Sequence, residues 1–333
     1  MMARRPTIRS VAEEAGVSPT TVSLVLNNNA SAIPEATKER VVQAVRKLGY
    51  RPNPSARALS SSQTHTIGFI TDVIASSGYA GRSIAGAQEL SWANDKVLLI
   101  VNTGGDAAIT RAAVDMLCDR QVDGVIYAAM SMCGVDLPEA LLQIPTILVN
   151  AYDRQSRFPA ILADEELGGY TATRTLIDAG HRRIGMLYGV PEVDAGRERL
   201  IGHRRALDEA GIAFDPALVR ADCWFPEGGY RSTKALMTLD EPPTALFCVN
   251  DWVAMGCYEA VKELGLSIPG DLAIIGYDNH ELAGLLRPGL TTMQLPHYDL
   301  GRKAVECLLA PAGSVAPNAV IRLPCPLIRR QSV

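Results

Sequence analysis

Residues 7–27 read TIRSVAEEAGVSPTTVSLVLN, and this stretch decides the fold of the N-terminal part of the chain. Apolar residues recur at i, i+3, i+4 and i+7 from Ile8, which predicts a short helix with Thr7 as its N-cap. A glycine ends that helix, and Pro19 begins a second helix with Ser18 as its cap. Two short helices across a tight turn are typical of a helix-turn-helix, which presents the start of its second helix to the DNA major groove.

A third amphipathic helix is predicted from about Glu35 to Leu48, and it would close a three-helix core. Residues 1–62 carry nine Lys and Arg against four Asp and Glu, a net charge of +5. The whole chain carries −4, so the remaining residues carry −9. A basic head on an acidic body indicates contact with a polyanion, although a window of this length can also drift by a few charges.

The composition is that of a globular protein with several folding units, because hydrophobic residues make up 47% and charged residues 20% of 333 positions. Seven widely spaced cysteines without a Cys-x-x-Cys pair indicate reduced thiols rather than a disulfide framework or a metal site. The N-terminus has no apolar signal-peptide core, and no window approaches the roughly eighteen apolar residues of a membrane helix. We therefore expect a cytoplasmic, nucleoid-associated protein.

From Thr66 onward, short apolar runs such as IGFIT, KVLLIVNT, VDGVIYAA and IPTILVN alternate with helical patterns. After about residue 163 the pattern starts again with RRIGMLYG, TALFCVND and LAIIGYD. Such alternation predicts parallel strands joined by crossover helices. The predicted fold class is therefore α/β, with a small all-α helix-turn-helix head followed by two doubly wound parallel-sheet lobes.

Polar side chains end several of these strands: Asp72, Asn150, Asn250 and Asp278. Ligands of open α/β sheets bind outside the carboxyl ends of the strands, so we expect these side chains to face a cleft between the lobes. Carboxylates and amides suit a ligand with many hydroxyls, and Trp224 and Trp252 could supply an apolar platform for it. Each Asn or Asp can equally be a turn or helix-cap residue, which is how we interpret Asp251.

The ordered run T-I-x-x-V-A-x-x-A-G-V-S-x-x-T-V-S-x-V-L-N … G-Y-x-P-N-x-x-A-R-x-L resembles the DNA-binding head and hinge of the LacI (lactose/galactose repressor) family. The resemblance continues through D-E-x-x-G-G-Y, R-x-x-G-H-R-x-A-L, V-N-D-x-x-A-M-G and G-Y-D-N-x-E-L. It covers the whole chain. It implies a periplasmic-binding-protein-like body and a hinge, here residues 53–60, that becomes helical only on the operator. The residue matching Leu59 would wedge into the minor groove.

The resemblance implies DNA-binding roles for Thr7, Pro19, Thr20, Thr21, Ser23, Leu24, Asn27, Tyr50, Asn53, Ala56 and Leu59. The base-reading positions fall on Pro19, Thr20 and Leu24. Proline and leucine cannot form bidentate hydrogen bonds to a base edge, so direct readout there should be thin. Two alternatives remain open: Leu24 can pack inward, and the hydroxyls matching phosphate contacts can bond within their own helix.

For the effector, the resemblance implies contacts from Asp72, Tyr127, Asn150, Arg199, Trp224, Asn250 and Asp278. Arg199 and Asp278 match the positions that the family uses most often. Arg199 can alternatively pair with a carboxylate of its own helix, such as Asp194. The match at Trp224 requires a one-residue shift.

The resemblance also implies the domain limits and three crossings between the lobes. We expect a head at 1–50, a hinge helix and linker at 51–64, and an effector-binding and dimerisation core at 65–333. Within the core, the N-lobe takes about 65–162 and 292–320, and the C-lobe takes about 163–291 and 321–333. The final residues LIRRQSV lack the leucine heptads that make some relatives tetramers, so a homodimer is expected.

These expectations combine into a sequence-specific transcriptional repressor. Its affinity for a pseudo-palindromic double-stranded operator would change when a mono- or oligosaccharide binds between the lobes. Control by a purine-like corepressor or by a partner protein is the alternative. An enzyme is the rival from another class. The sequence has no nucleophile elbow, P-loop, Rossmann glycine fingerprint or metal triad, so no catalytic residue, metal or cofactor is predicted.

Overall fold

The computed structural model describes residues 6–26, 32–50, 63–76, 78, 80–190, 193–221, 223–311 and 313–333. The chain divides into two compact units, Met1–Thr64 and His65–Val333. Each unit has its own hydrophobic core, so each is described by itself.

Three helices form the first unit: α1 (Ile8–Ala15), α2 (Pro19–Leu26) and α3 (Glu35–Leu48). All three were predicted from apolar spacing, and their bounds agree with the prediction. Thr7 and Ser10 form a reciprocal capping box at the start of α1. Gly16 ends α1 at a φ of 63°, a left-handed conformation that favours glycine. The small core is formed by the inward-facing side chains of the three helices, among them Val11, Val22 and Val41.

The N-lobe contains a sheet of six strands in the order β11-β5-β4-β3-β1-β2, all parallel. The strands are β1 (Thr66–Thr71), β2 (Val97–Asn102), β3 (Gly124–Val135), β4 (Thr146–Asp153), β5 (Ala160–Ala163) and β11 (Val320–Leu323). Its helices are α4 (Gly81–Ala93), α5 (Ala107–Asp119) and α11 (His297–Leu309). Central strands such as β1 are buried on both faces, which is why they appear in the sequence as unbroken apolar runs.

The C-lobe repeats this plan, with the strand order β12-β10-β9-β8-β6-β7. The strands are β6 (Ile184–Gly189), β7 (Val219–Ala221), β8 (Ala245–Cys248), β9 (Ala273–Asp278), β10 (Thr291–Gln294) and β12 (Leu327–Ile328). Its helices are α6 (Glu165–Asp178), α7 (Asp194–Glu209), α8 (Pro226–Met237), α9 (Asp251–Glu263) and α10 (Glu281–Leu285). Only β12 runs antiparallel among the strand pairs of the described residues. The prediction of two parallel-sheet lobes is confirmed.

Two of the predicted lobe boundaries are wrong by a few residues. We placed the N-lobe from 292 onward, but β10 pairs with β9 and so belongs to the C-lobe sheet. We placed the C-lobe from 321 onward, but β11 pairs with β5 and so belongs to the N-lobe sheet. The chain therefore crosses between β10 and α11, and again between β11 and β12. In both cases a strand of four residues joins a sheet before the chain leaves that lobe.

No helix within the described ranges is long and apolar enough to cross a membrane.

Candidate functional site

The start of α2 presents the predicted base-reading side chains to solvent. Pro19 and Thr20 are exposed, and Leu24 is 39% exposed. The alternative in which Leu24 packs inward is therefore wrong, because Val22 fills the core position of this helix. The exposed edge of α2 thus offers one hydroxyl, from Thr20, between two apolar side chains.

The structure describes four of the other predicted DNA contacts, Thr7, Thr21, Ser23 and Tyr50. The Thr21 hydroxyl lies 2.9 Å from the Ser18 hydroxyl, which caps α2 by accepting from the Thr21 N–H at 3.1 Å. Thr7 is exposed but caps α1, and Ser23 and Tyr50 are half-buried. The remaining predicted contacts lie outside the described residues: Asn27, Asn53, Ala56 and Leu59.

A cavity of about 510 Å³ lies between the two lobes of the second unit. It brings together five of the seven predicted effector contacts: Asn150, Arg199, Trp224, Asn250 and Asp278. Prediction from strand ends missed several lining side chains, among them Glu165, Asn279 and His280. Asp72 and Tyr127 are not among the lining residues.

Arg199 on α7 forms the charged floor of this cleft. Its Nε donates to Glu165 Oε2 at 2.8 Å and its Nη2 donates to Glu165 Oε1 at 3.1 Å, a bidentate pair buried to 2% and 1% exposure. Its Nη1 donates to the carbonyl of Val249, and the guanidinium lies 3.6 Å above the Tyr277 ring. The alternative in which Arg199 pairs within its own helix is wrong, because Arg197 takes Asp194 instead.

Asp278 ends β9 beside this floor. One of its carboxylate oxygens lies 3.8 Å from Arg199 Nη2. Burial raises the pKa of Asp278 well above its usual value, and the positive charge of Arg199 opposes that shift. Asp278 and Asn279 both have positive φ, 106° and 52°. Non-glycine residues in this region are strained, and such strain is concentrated at functional sites.

Asn150 supplies an unsatisfied acceptor to the cleft. Its Nδ2 donates to the carbonyls of Ala129 and Met130 at 3.2 and 3.0 Å, which fixes the orientation of the amide. Its Oδ1 is buried and has no hydrogen-bond partner among the described residues. Its φ is 52°. A buried acceptor without a partner is costly, so a donor group on a ligand would relieve it.

Our interpretation of Asp251 as a cap is wrong, and Asn250 takes that role. Asn250 Oδ1 accepts from the Val253 N–H at 2.8 Å and caps α9, while its Nδ2 donates to the carbonyl of Trp224. Asp251 is fully buried and accepts from Thr292 Oγ1 at 2.6 Å and from the His280 N–H at 2.7 Å. Asp251 thereby ties the loop after β9 to strand β10. Burial raises its pKa to about 7, and these two hydrogen bonds oppose the shift.

An aromatic wall faces the polar floor. This wall consists of Trp224, Phe225 and Trp252, which line the cleft. The ring centroids of Trp252 and His280 lie 5.1 Å apart. A Cβ at position 189 would lie 2.7 Å from the Trp224 ring, so Gly189 is what admits this indole. Phe225 and Trp252 are 68% and 42% exposed, and a ligand could therefore cover them.

Asp72 and Tyr127 do not take the predicted roles of cleft lining. Asp72 turns back into its own lobe, where Oδ2 accepts from the Met130 N–H at 2.9 Å. Asp72 therefore fixes the backbone of Met130, which lines the cleft. Tyr127 lies in the middle of β3 and its side chain enters the apolar core with Leu148, where burial raises its pKa to about 12. Alternation along β3 turns Tyr127 to that face of the sheet.

We also searched the described residues for a metal site. Among the residues that the structure describes, no group of three or more His, Cys, Asp or Glu is placed to hold a metal ion.

Comparison with known proteins relates both units to transcriptional regulators. Residues 7–53 match the model of bacterial regulatory proteins of the lacI family, and residues 173–333 match a periplasmic binding protein-like domain. The ribose operon repressor of Haemophilus influenzae is 37% identical over 308 residues, which are 91% of this chain and 91% of that protein. The chain belongs to the LacI family of bacterial regulatory proteins. Its function as a DNA-binding transcriptional repressor, predicted from the sequence, is thereby confirmed.

A further relative and two solved structures are also similar to this chain. The HTH-type transcriptional repressor PurR of Vibrio vulnificus is 37% identical over 316 residues, with 91% of each chain covered. The Lac repressor dimer bound to operator and the anti-inducer ONPF has a TM-score of 0.83 at 26% identity, with 99% of both chains covered. The regulator CelR in complex with cellobiose has a TM-score of 0.69 at 25% identity, covering 99% of this chain and 100% of that chain. Each of these proteins is a repressor or a transcriptional regulator.

Proposed function

We propose that this LacI-family repressor binds a small sugar in the interlobe cleft, and that occupancy changes its affinity for a pseudo-palindromic operator. The observation that carries this proposal is the pairing of a polar floor with an aromatic wall across about 510 Å³. The floor carries the amide of Asn150, the guanidinium of Arg199 and the carboxyl group of Asp278. Hydroxyls can both donate and accept, and the apolar face of a sugar ring packs on aromatic side chains.

The operator would be read by α2 in the major groove of each half-site. Two copies of the chain are needed to read a pseudo-palindrome, so we propose a homodimer. Thr20 is the only hydrogen-bonding side chain at the three base-reading positions. Specificity would therefore depend on apolar contact with thymine methyl groups and on the hinge segment at residues 53–60.

Coupling between the two sites must be reciprocal. If the ligand weakens operator binding by some factor, operator must weaken ligand binding by the same factor. We propose that the ligand favours a closed arrangement of the lobes in which the hinge segments of the dimer no longer fold into the minor groove. In a corepressor-controlled relative the same linkage would run with the opposite sign.

A purine-like ligand is the second candidate, because the wall of Trp224, Phe225 and Trp252 also suits a flat heterocycle, and Vibrio PurR is as similar as the ribose operon repressor. Isothermal calorimetry of the full chain separates the two. D-ribose, D-galactose, cellobiose, hypoxanthine and guanine are each titrated, with and without an operator selected from random DNA by the protein itself. Sugar binding that operator alters supports the first reading, and purine binding that operator strengthens supports the second.

Two tryptophan variants make the calorimetry specific to the cleft. Trp224→Ala should weaken ligand binding by at least tenfold, because it removes part of the aromatic wall. Trp92→Ala is the matched control, since Trp92 is 64% exposed on α4 and does not line the cleft. Equal ligand affinity with and without operator would refute the proposed coupling. Equal loss in both variants would refute the proposed site.

A further inference from the structure

A second cavity, of about 750 Å³, is also built from both lobes. The N-lobe contributes Met132, Phe158 and Leu162, and the C-lobe contributes Tyr188 and Ile201. Helix α7 is shared by the two cavities. On a helix, residues three or four apart share a face. Ala195 and Arg199 line the effector cleft, whereas Asp194, Arg197 and Ile201 line the second cavity.

The carboxylates in the walls of this cavity are all paired with arginines. Asp194 pairs with Arg197 and also accepts from Tyr152 Oη at 2.8 Å across the lobes. Glu198 accepts from Arg322 at 2.7 and 2.9 Å, a bidentate pair that also joins α7 to β11 of the N-lobe.

The third carboxylate, Asp153, accepts from Arg157 Nη2 at 2.8 Å and is held ionised, because that hydrogen bond lowers its pKa. The guanidinium of Arg204 lies 4.1 Å above the Phe214 ring. Three arginines and three carboxylates line the cavity, so its walls carry no net charge.

The rest of the surface is apolar and in part aromatic. Met132 and Leu162 are buried at the floor, with 2% and 3% exposure. At the mouth, Ile201 and Val320 are 52% and 54% exposed, on a helix of one lobe and an edge strand of the other. A molecule that covered both would remove apolar surface from water in each lobe at once.

We propose that this cavity is a second ligand site, for an uncharged planar aromatic molecule. A cationic ligand finds the three lining carboxylates already paired with arginines, and an anionic ligand finds Arg204 already stacked on Phe214, whereas a neutral ring packs against Tyr188 and the apolar floor and leaves these contacts intact. The amide of Asn318 and the hydroxyl of Ser156 lie in the wall and can meet a single polar substituent. Because the site contacts both lobes, its occupant stabilises the arrangement of lobes that forms it.

A pair of fluorescent probes with one skeleton tests the charge class. N-phenyl-1-naphthylamine is uncharged, and 1-anilinonaphthalene-8-sulfonate is the same molecule with an anionic group. Each is titrated into the full chain. We expect saturable binding of the neutral probe at least tenfold tighter than that of the sulfonate. Absence of saturable binding, or a sulfonate that binds as tightly, would overturn the proposal.

Matched variants locate the probe. Ile201→Glu places a carboxylate at the mouth and should weaken binding of the neutral probe at least tenfold. Ile109→Glu makes the same change at a 49% exposed isoleucine of α5, outside both cavities, and should leave binding unchanged. Trp252→Ala, in the effector cleft, should also leave it unchanged. Loss of binding in Trp252→Ala but not in Ile201→Glu would place the probe in the cleft and refute the second site.

The test remains decisive if Ile201→Glu disturbs folding. Circular dichroism melting identifies such a loss, and Val320→Glu then repeats the experiment from the opposite lobe. None of these measurements uses operator or effector, so the second site can fail while the proposed function stands, and the reverse.

Discussion

Removing one partner of the buried Glu165–Arg199 pair should strongly destabilise the C-lobe. In Glu165→Gln the side chain keeps its shape, but its NH2 group faces a guanidinium N–H, so one of two charge-assisted hydrogen bonds is lost. Removing one partner of a buried ion pair typically costs about 3–5 kcal/mol. Asp278 remains 3.8 Å from Arg199 and offsets part of the loss. We therefore expect a decrease in the free energy of unfolding near the lower limit, about 3 kcal/mol.

The neighbouring residue supplies the control. Glu166 pairs with Arg205 at the surface, where the two side chains are 38% and 41% exposed. Exposed pairs contribute about 0–1 kcal/mol, so Glu166→Gln should change the free energy of unfolding by less than 1 kcal/mol. Urea titration of the ligand-free full chain at pH 7 measures both variants. The two changes are chemically identical and one residue apart, so burial is the main difference between them.

A double-mutant cycle completes the test. Arg199→Met leaves Glu165 without its partner and should also be strongly destabilising. The double variant should lose clearly less than the sum of the single losses, because neither charge is then stranded. If Glu165→Gln lies within 1 kcal/mol of the parent, or if the two losses simply add, the reasoning from the buried pair is refuted.

Three other predictions test the C-lobe and the head. Asp251 has its pKa raised to about 7 in the folded chain, so it holds a proton that the unfolded chain releases near pH 4. The free energy of unfolding should therefore fall by about 1.4 kcal/mol per pH unit between pH 5 and 7, relative to that of Asp251→Asn. Urea titrations of both proteins across this pH range measure the effect, and an equal pH dependence in the two proteins would contradict it. Gly202→Ala should lower the free energy of unfolding by about 1–3 kcal/mol, because the new Cβ would lie 2.0 Å from the Glu166 carbonyl oxygen. Gly284→Ala, in a helix with open space for a Cβ, should not lower the melting temperature. Leu24→Arg should add a G·C preference of about 1–3 kcal/mol at one position of each half-site, and selection from random DNA that returns the parental operator would count against α2 as the reading helix.

The sequence predicts elements well where a local pattern suffices. The apolar spacing of α1 and the glycine behind it need no distant residue, and central strands such as β1 and β8 are buried on both faces. The assignment of short strands to a lobe is harder to predict. Strands β10 and β11 are four residues each, and only their pairing with β9 and β5 assigns them to a lobe.

The cleft shows the same division. The strand-end rule found Asn150 and Asp278, because the carboxyl ends of parallel strands share one edge of a sheet. It could not separate Asn250 from Asp251. Asp251 points inward because position 276 is a glycine, where a Cβ would lie 2.2 Å from the Asp251 carboxylate. The partner of that carboxylate, Thr292, lies 41 residues further along the chain. Glu165 was visible in the sequence as part of a quoted motif, but nothing local identifies its partner.

Helix α7 lines both cavities of the body and contacts both lobes. Arg199 anchors it within the C-lobe, while Asp194 and Glu198 bind Tyr152 and Arg322 of the N-lobe. Movement of one lobe against the other must therefore break or stretch the last two contacts. A ligand shifts such an equilibrium only by the difference between its affinities for the two arrangements. If the proposed ligand of each cavity binds the two arrangements with different affinities, both ligands bias the same motion, and their binding is then linked through the lobes although they do not touch.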